Sequence, residues 1–346
     1  MERISILDCT LRDGGYVNDW SFGKKYIENT VSLLEQSDID IIEIGFLKDE
    51  FYDENRTVFN DIRQIKKFIS EKKCNSLYAT MIEVVNPIPL EMLSERTDGS
   101  VDIVRVIVWK TKKNKDGEIV DALDEGYEYC KGIVTKGYRL CVQPARTDQY
   151  TDDEFVAMIK KFQQLNPMAI YIVDSWGTMD AEEVLHYMKL ADDNLNENIA
   201  IGYHGHNNLM QAYGNACQVV NYHTDREVII DASIYGIGRG AGNLNTELFA
   251  KYLNEKKEKK YDIVPLMEIY ENVIKKIRSE HFWGYSIYYY LTAMYGCNPN
   301  YANYYGIEKK LKPKVVESIL RKLDTMDKII FSRGIAERWL EIEMRE

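Results

Sequence analysis

Eight short apolar runs, rich in β-branched residues, alternate with amphipathic segments over the first 255 residues. The runs are nearly continuous in hydrophobic character, as expected of parallel strands that are covered on both faces. The amphipathic segments repeat their apolar residues at a helical period. This alternation predicts parallel strands joined by crossover helices. The predicted strands are Ile4–Thr10, Ile39–Gly45, Leu77–Ile82, Asp102–Val108, Tyr138–Gln143, Ala169–Asp174, Ile199–His204 and Val228–Ile234.

The number of strands selects the architecture. Eight strands in about 250 residues match a (β/α)8 barrel, and the first strand is not followed by the GxGxxG motif of a dinucleotide-binding sheet. We therefore predict the α/β class and a (β/α)8 TIM barrel with a C-terminal helical appendage. The predicted barrel helices are Lys24–Gln36, Arg56–Ser70, Glu118–Thr135, Asp152–Leu165, Ala181–Ala191, Leu209–Val220 and Leu244–Leu253.

Beyond residue 255 the strand pattern stops. The sequence predicts a barrel domain over 1–255 and a helical region over 256–346 that packs on it. The basic run KKEKK at 256–260 is interpreted as a solvated helix end. A tyrosine-rich stretch at 285–306 is followed by two predicted helices, Val315–Asp327 and Arg333–Met344.

Composition excludes several classes of protein. The net charge of −11 argues against nucleic acid as a partner, since phosphate contacts need clustered lysine and arginine. No apolar run approaches the roughly 18 residues of a membrane span, and no secretory signal is recognised. The six cysteines are scattered without a CxxC pair, which fits a reducing compartment. We expect a cytoplasmic protein without membrane contact.

The first predicted strand ends in LDCTLRDGG. Strand alternation places Asp8, Thr10 and Arg12 on one side, while Asp13 begins the turn. Barrel enzymes carry their reactive groups at the C-terminal ends of the strands. Arg12 offers a cation for a developing oxyanion, and Asp13 offers a hard oxygen ligand for a metal. An arginine–aspartate ion pair that closes a surface turn explains the same residues, so both interpretations stand.

His204 and His206 stand two positions apart in IGYHGHNN, at the end of the seventh predicted strand. In an extended strand both imidazoles point the same way, and paired imidazoles suit Zn, Mn, Fe and related ions. The alternative is one buried structural histidine and one rim histidine without a metal. The other three histidines lack such partners and are interpreted as structural: His186, His223 and His281.

Four glycines in GIGRGAGNLNTE precede a helix that is predicted to start near Asn245. They allow a ligand to approach the backbone closely, and Gly240 among them is expected to bind substrate. Asn243 offers a carbonyl oxygen that completes or steadies a metal shell.

Two further strand ends carry carboxylates. Glu43 in IIEIGF faces the barrel interior, and YIVDSWG places Asp174 and Ser175 at the rim. We expect Glu43 and Ser175 to bind substrate. Because buried carboxylates are costly without partners, the alternative for each acid is a structural ion pair, and for Glu43 the partner would be Arg12.

Five motifs in order, DCTLRDGG, IEIG, DSWG, HGHNN and GIGRGAGN, resemble the DRE-TIM metallolyase (HMGL-like) superfamily over residues 1 to about 255. The resemblance implies a divalent metal held by Asp13, His204 and His206, with Asn243 close enough to ligate or assist. It also implies that Arg12 stabilises an enolate oxygen while the metal acts as Lewis acid. Mn²⁺ or Mg²⁺ is expected before Zn²⁺, and no organic cofactor is expected.

Within that superfamily, TLRDGG and the tail segment YYLTAMYGCNPNYANY are most similar to the 4-hydroxy-2-oxovalerate aldolase branch. That branch cleaves a 4-hydroxy-2-oxo acid to pyruvate and an aldehyde, and it implies an aldehyde dehydrogenase partner and a homo-oligomer. It usually carries a histidine base shortly after RDG, where this chain has Tyr16. Tyr16 is therefore the predicted catalytic residue beside Arg12, with Asp19 or a metal-bound hydroxide as alternatives.

Two competing functions remain open from sequence. One is a non-catalytic or regulatory barrel whose tyrosine-rich tail docks a protein, since tyrosine is enriched at interfaces. The other is different chemistry within the superfamily, such as acyl-CoA condensation. The glycine-rich loop lacks the cysteine expected of CoA-ester lyases, and the GEQ of the synthases is replaced by GGY.

Overall fold

A computed structural model describes residues 3–69, 75–97, 99–113 and 118–345. Eight parallel strands form a closed barrel, because the first strand pairs with both the second and the last. The TIM barrel predicted from sequence is thus confirmed. In chain order the strands are β1 Ile4–Asp8, β2 Ile41–Leu47, β3 Leu77–Glu83, β4 Ile103–Val108, β5 Arg139–Pro144, β6 Ala169–Asp174, β7 Ala200–Gly205 and β8 Val228–Ala232.

Two apolar layers follow from the alternation of side chains along the strands. Inward-facing residues such as Leu7, Ile103 and Tyr171 fill the barrel. Outward-facing residues pack against the surrounding helices in a larger cluster. The interior is therefore a packed core, and reactive groups are available only at its ends.

Helices cover most of the strand connections, with some differences from the sequence prediction. The helices Lys24–Gln36, Leu123–Thr135, Asp152–Phe162, Ala181–Asn194, Ala212–Asn221 and Thr246–Lys256 follow β1, β4, β5, β6, β7 and β8. A single helical turn, Gly15–Asn18, precedes the first of them. The last helix begins directly after Asn245, as predicted, and the KKEKK run starts at its end.

The prediction of a helix over Arg56–Ser70 was wrong for residues 56–69, which the structure describes. A short strand, Val58–Phe59, extends the edge of β2 and is followed by the 3-10 helix Ile62–Phe68. Ser70 lies outside the described residues. After β3 the chain makes only the 3-10 turn Leu90–Met92.

Two other predicted helices have different bounds. The segment Glu118–Thr135 begins with the strand Ile119–Asp121, which pairs with Thr111–Lys113, and the helix starts only at Leu123. Val315–Asp327 is interrupted, giving the helices Pro313–Lys322 and Thr325–Ile329. The interruption lies at Asp324, whose side chain accepts a hydrogen bond from the backbone of Asp327 and so caps the second helix.

The region after the barrel packs in two parts. Ile263–Ile269, the π-helix Tyr270–Ile274 and Lys275–Glu280 contribute to the outer barrel core. A second apolar cluster, here called the tail cluster, is built from Ile287–Met294, the π-helix Ala302–Glu308, Pro313–Lys322 and Arg333–Arg345, together with the segments that connect them. The short helix Thr325–Ile329 lies in one of these connections.

Many of the tail tyrosines are internal. Tyr301, Tyr304 and Tyr305 are buried in the tail cluster. The hydroxyl of Tyr301 donates to the Asp327 carbonyl, and that of Tyr305 to the Ala336 carbonyl. Core packing therefore explains much of the tyrosine enrichment without a docking partner.

Within the described ranges, every helix falls short of the length and apolar character that a bilayer span requires.

Candidate active site

Three side chains converge at the C-terminal end of the barrel. The Nε2 atoms of His204 and His206 are 3.4 Å apart. They lie 3.4 and 3.7 Å from the Oδ2 atom of Asp13. All three residues are at least 94% buried. The structure thus brings together the three metal ligands implied by the sequence resemblance.

A tight turn delivers Arg12 and Asp13 to this point. Strand β1 ends at Asp8, and the backbone amides of Arg12 and Asp13 both donate to the carbonyl of Cys9. The predicted strand alternation of Asp8, Thr10 and Arg12 was therefore wrong, because the chain has already left the strand. A side chain at Gly14 would lie 2.2 Å from the Thr10 carbonyl oxygen, so the turn requires glycine there.

The donor set fits a divalent ion. Ligands about 2.0–2.2 Å from one shared ion lie roughly 3.0–3.5 Å from each other, close to the separations of Asp13, His204 and His206. Neither carboxylate oxygen of Asp13 accepts a hydrogen bond from any described residue. Buried Asp13 oxygens that lack a hydrogen-bond donor face the closely paired Nε2 atoms of His204 and His206, which is an arrangement that a metal satisfies.

Electrostatics keep these groups in their ligand forms. Burial opposes the ionisation of Asp13, but Arg12, His206 and His204 outweigh it and hold the pKa of that carboxyl well below its usual range. Burial lowers the pKa of His206 to about 4, with Asp13 opposing the shift. A carboxylate and a neutral imidazole are the forms that bind metal.

Asn243 lies beside the three donors. It forms a backbone bridge with His206, and its amide nitrogen donates to the Ile237 carbonyl. Its side-chain oxygen is buried and accepts no hydrogen bond from a described residue. Cys9 also lies near, but its thiol donates to the Ala232 carbonyl and burial raises its pKa, so it is a poor ligand.

Behind the ligands, buried charged side chains form a closed ring of ion pairs and hydrogen bonds, here called the charged ring. Arg12 Nε donates to Glu43 Oε2 at 2.7 Å, and Arg105 Nη1 lies 2.9 Å from the same oxygen. Arg105 also pairs with Asp231, whose Oδ2 atom lies 2.9 Å from His204 Nδ1. The ring closes through Asp13, 3.5 Å from Arg12. Its members are Asp13, Arg12, Glu43, Arg105, Asp231 and His204.

The charged ring has two consequences for the site. Three carboxylates face two guanidinium groups, so one negative charge is left over inside the barrel and favours a bound cation. Asp231 accepts the Nδ1 proton of His204, which fixes the tautomer and turns Nε2 toward the ligand point. Glu43 does not line the cavity. It lies behind Arg12 and holds the guanidinium group in place.

A cavity of about 70 Å³ opens in front of the ligands. Arg12, Tyr16 and Ser175 line it, as do four residues that sequence reasoning did not single out, namely Glu83, Trp109, Gln143 and Arg239. The Ser175 hydroxyl accepts a hydrogen bond from the Arg146 amide. Gly240 lines a larger outer recess that shares walls with this cavity.

Tyr16 retains 40% of its surface exposed, yet the barrel mouth surrounds it closely enough that burial raises its pKa to about 12. At neutral pH it therefore holds its proton. Asp19 is 79% exposed and pairs with Arg56 on the outer rim, away from the cavity lining. Asp174 accepts hydrogen bonds from the backbone of Thr178 and Met179 and also lies outside that lining.

The site residues that were not predicted differ in how far the sequence could have indicated them. Arg105 and Asp231 are charges inside otherwise apolar strands, which is a signal for a buried ion pair. Glu83 is the last residue of β3, a position where barrels place reactive groups. Arg239 lies inside the glycine-rich loop, whose glycines are the more conspicuous feature of that stretch.

Known proteins resemble this chain over the same region. A family model described as HMGL-like matches residues 3–273. A 4-hydroxy-2-oxovalerate aldolase of Bacillus thuringiensis (strain Al Hakam) is 24% identical over 276 residues, which cover 78% of this chain and 76% of the relative. An oxaloacetate decarboxylase of Mycobacterium tuberculosis (strain ATCC 25618 / H37Rv) is 23% identical over 269 residues, covering 72% and 70%.

A solved structure shares the fold. The N-terminal domain of a protein from Bacteroides vulgatus, provisionally described as an aldolase, superposes with a TM-score of 0.71 at 24% identity. The match covers 89% of this chain and 100% of that domain. The likeness therefore extends beyond the barrel into the region after residue 273.

Proposed function

The chain belongs to the HMGL-like family and is a carbon–carbon lyase, and within that family we propose that it is a divalent-metal-dependent aldolase acting on 4-hydroxy-2-oxo acids. The products would be pyruvate and an aldehyde. The observation that carries the proposal is the convergence of Asp13, His204 and His206 beside Arg12, at the bottom of one small cavity.

Members of this family are generally dependent on a divalent metal. Here Asp13, His204 and His206 would hold the ion, with Asn243 beside it. When bound, the metal supplies a Lewis acid that polarises the 2-oxo group. A mixed oxygen and imidazole shell accepts several ions, so Mn²⁺ or Mg²⁺ is proposed first and Zn²⁺ second.

Cleavage breaks the bond between C3 and C4 of the substrate. A base removes the C4 hydroxyl proton, the C4–O bond becomes the aldehyde carbonyl, and the electron pair of the broken bond passes into an enolate over C3, C2 and the oxygen on C2. Arg12 stabilises that oxygen, since Glu43 fixes its guanidinium at the cavity wall. An acid then delivers a proton to C3, which gives pyruvate.

The cavity offers a base and an acid in place of the absent histidine. Glu83 is half-buried, and Trp109 donates to its Oε1 atom at 3.0 Å, which leaves Oε2 without a described partner. We assign Glu83 to accept the C4 hydroxyl proton. Tyr16 keeps its proton at neutral pH and suits the delivery of a proton to C3.

Three further groups would bind the substrate. The Ser175 hydroxyl accepts from the Arg146 amide, so its own proton is available to a substrate carboxylate. Arg239 is half-buried in the cavity wall, and no described acidic residue pairs with it. Gly240 has a φ of +67°, a conformation that favours glycine and leaves the backbone open to a ligand.

The proposal also covers the setting of the reaction. The substrate is a small 2-oxo acid, and the aldolase resemblance supports a homo-oligomer in the cytoplasm and an aldehyde dehydrogenase that takes up the product. The barrel over 1–255 would carry the chemistry, and the helical region over 256–346 would close the cavity from outside.

Pyruvate release tests the function. Protein loaded with Mn²⁺ is incubated with a panel of 4-hydroxy-2-oxo acids, and pyruvate is measured over time. The His204→Ala, His206→Ala double variant should lose both metal and activity, whereas His186→Ala, which removes an exposed histidine paired with Asp152, should keep both. Glu83→Gln should keep the metal and lose kcat. Absence of pyruvate across the panel in the metal-loaded protein would refute the aldolase assignment.

A further inference from the structure

A polar recess of about 680 Å³ lies outside the catalytic cavity and is about ten times larger. The two spaces share Tyr16, Glu83, Trp109 and Arg239 as walls. A water needs roughly 10–15 Å³ of such space, so the inner cavity of about 70 Å³ holds about five waters, a volume suited to the pyruvyl part of a substrate. Whatever is attached beyond C4 must then extend into the recess.

The recess wall is lined by hydrogen-bonding groups. Its outer side comes from the C-terminal region, beside the tail cluster, and presents Tyr289, Asn298, Asn300 and Asn303. The Asn303 oxygen accepts from the Tyr289 hydroxyl at 2.5 Å, which leaves the Asn303 amide protons free. No described residue hydrogen-bonds to the side-chain amide of Asn300. The Asn298 side chain is already engaged, because it donates to the Ile329 carbonyl and accepts from the Asn300 backbone amide. The side chain of Asn300 and the amide nitrogen of Asn303 are therefore the groups that the recess offers to a ligand.

The charges of the recess exclude an anionic occupant. Among its arginine, lysine, aspartate and glutamate side chains, Arg239 supplies one positive charge and Glu83 and Glu280 supply two negative ones; the imidazole of His281 also lines the wall. A phosphate or coenzyme A tail would need clustered cations, and this wall carries an excess of acid. Val17, Phe282 and Ile307 supply apolar patches to the wall, but an alkyl tail that filled the recess would also cover its polar groups without pairing them. A neutral chain bearing hydroxyl groups satisfies both conditions.

The aromatic side chains complete the pattern. Trp109 is half-buried at the junction and is oriented by its hydrogen bond to Glu83. Tyr289 stands on the tail side of the recess. Flat apolar faces beside amide and carboxylate groups suit a chain in which C–H and O–H groups alternate.

From this lining we infer that the recess is a subsite for a polyhydroxylated chain, so that the natural substrate is a 4-hydroxy-2-oxo acid of the sugar-acid type and the aldehyde product is a short sugar. The inference rests on the proposed aldolase function and specifies its substrate class. Asn300 is the specificity residue that the recess contributes most directly, because its amide has no role in holding the tail cluster together.

Two series of substrates of equal chain length test the subsite, one with an alkyl chain beyond C4 and one with a hydroxylated chain. In metal-loaded wild type, kcat/KM should favour the hydroxylated series by about tenfold or more, equivalent to about 1.4 kcal/mol. Asn300→Leu and Asn300→Ala should both remove most of that preference. The matched control is Asn272→Leu, an exposed asparagine outside the recess.

A binding measurement separates the two hypotheses. Calorimetry compares a linear sugar acid with a fatty acid of the same length, using metal-loaded wild type and Asn300→Leu. If neither series releases pyruvate but the sugar acid binds preferentially and Asn300→Leu abolishes the preference, the subsite stands and the aldolase function fails. If pyruvate is released equally from both series, the subsite is overturned and the aldolase stands. If Asn300→Leu leaves the preference intact, the subsite is overturned, and pyruvate release alone decides the aldolase function. If neither series releases pyruvate and the sugar acid does not bind preferentially, both the aldolase function and the subsite are overturned.

Discussion

Replacing Arg105 with methionine removes the cation that Glu43 and Asp231 share inside the barrel. Arg105 is fully buried, contacts Glu43 Oε2 at 2.9 Å, pairs with Asp231, and stacks its guanidinium 4.8 Å from the Tyr171 ring centre. Methionine is flexible and fills much of the volume of the arginine stem. The variant therefore tests the charge of the ring more than its packing.

The expected loss follows from what the two carboxylates retain. Glu43 keeps Arg12 at 2.7 Å, and Asp231 keeps His204 at 2.9 Å, so neither is left without a partner. Breaking a buried ion pair by removing one partner costs about 3–5 kcal/mol. We expect the lower end, about 3 kcal/mol, which is a large share of the roughly 5–15 kcal/mol that stabilises a typical protein.

Urea unfolding followed by circular dichroism measures this loss. A chelator is present throughout, because bound metal would add its own contribution to the stability of the folded state. Arg63→Met serves as control, since Arg63 is an exposed arginine that pairs with Asp61 on the surface; its unfolding midpoint should match wild type. The double variant Arg105→Met, Asp231→Asn should recover part of the loss, because it removes one of the carboxylates left in excess.

Two results would refute the reasoning about the charged ring. One is an Arg105→Met midpoint equal to that of the surface control. The other is a double variant whose loss equals the sum of the single losses within about 0.5 kcal/mol, which is the additivity expected of sites that do not interact.

Asp231→Asn should weaken metal binding by about 10–100-fold, since it alters the group that orients His204; a metal titration with unchanged affinity would contradict this. Burial raises the pKa of Asp8 to about 6, so its neutral form stabilises the fold below about pH 4 and that contribution is lost as the pH rises to about 6. Between those pH values the unfolding free energy of wild type should fall relative to Asp8→Asn by roughly 2–3 kcal/mol, and parallel profiles would disprove it. Gly238→Ala would place a methyl group 2.3 Å from the Asn243 amide, so it should lower metal affinity with the fold intact by circular dichroism; an unaltered metal titration would exclude this effect.

The strand ends were accessible from the sequence because hydrophobic runs and their spacing are local properties. The metal-ligand candidates followed, since His204 and His206 stand two positions apart at the end of one strand and Asp13 ends the LDCTLRD motif. The charged ring was not accessible in the same way. Arg105 on β4 and Asp231 on β8 meet across the interior, and their strands are not neighbours in the barrel. Only the closed barrel reveals that pairing.

The helix bounds show the same limit. The sequence Val315–Asp327 has an uninterrupted helical pattern, yet the helix ends at Lys322 and a new helix begins at Thr325, capped by Asp324. Buried Asp327 then receives the indole proton of Trp339 from the final helix. That partner is brought near only by the packing of the tail cluster, so local periodicity could not show it. Glu83 was missed for a related reason, because its importance depends on what else faces the cavity.

The walls of the recess come partly from the barrel and partly from the C-terminal region, at residues 280–307. The residues that would break and make bonds lie on the barrel strands and their loops, whereas Asn298, Asn300 and Asn303 lie in the segment between and within two helices that have an apolar cluster of their own. If the proposed function and subsite hold, mutations confined to residues 287–345 would change which aldehyde is accepted and would leave the bond-breaking residues unaltered. For protein engineering, this confines a specificity library to a short surface-facing segment and leaves the metal ligands outside it.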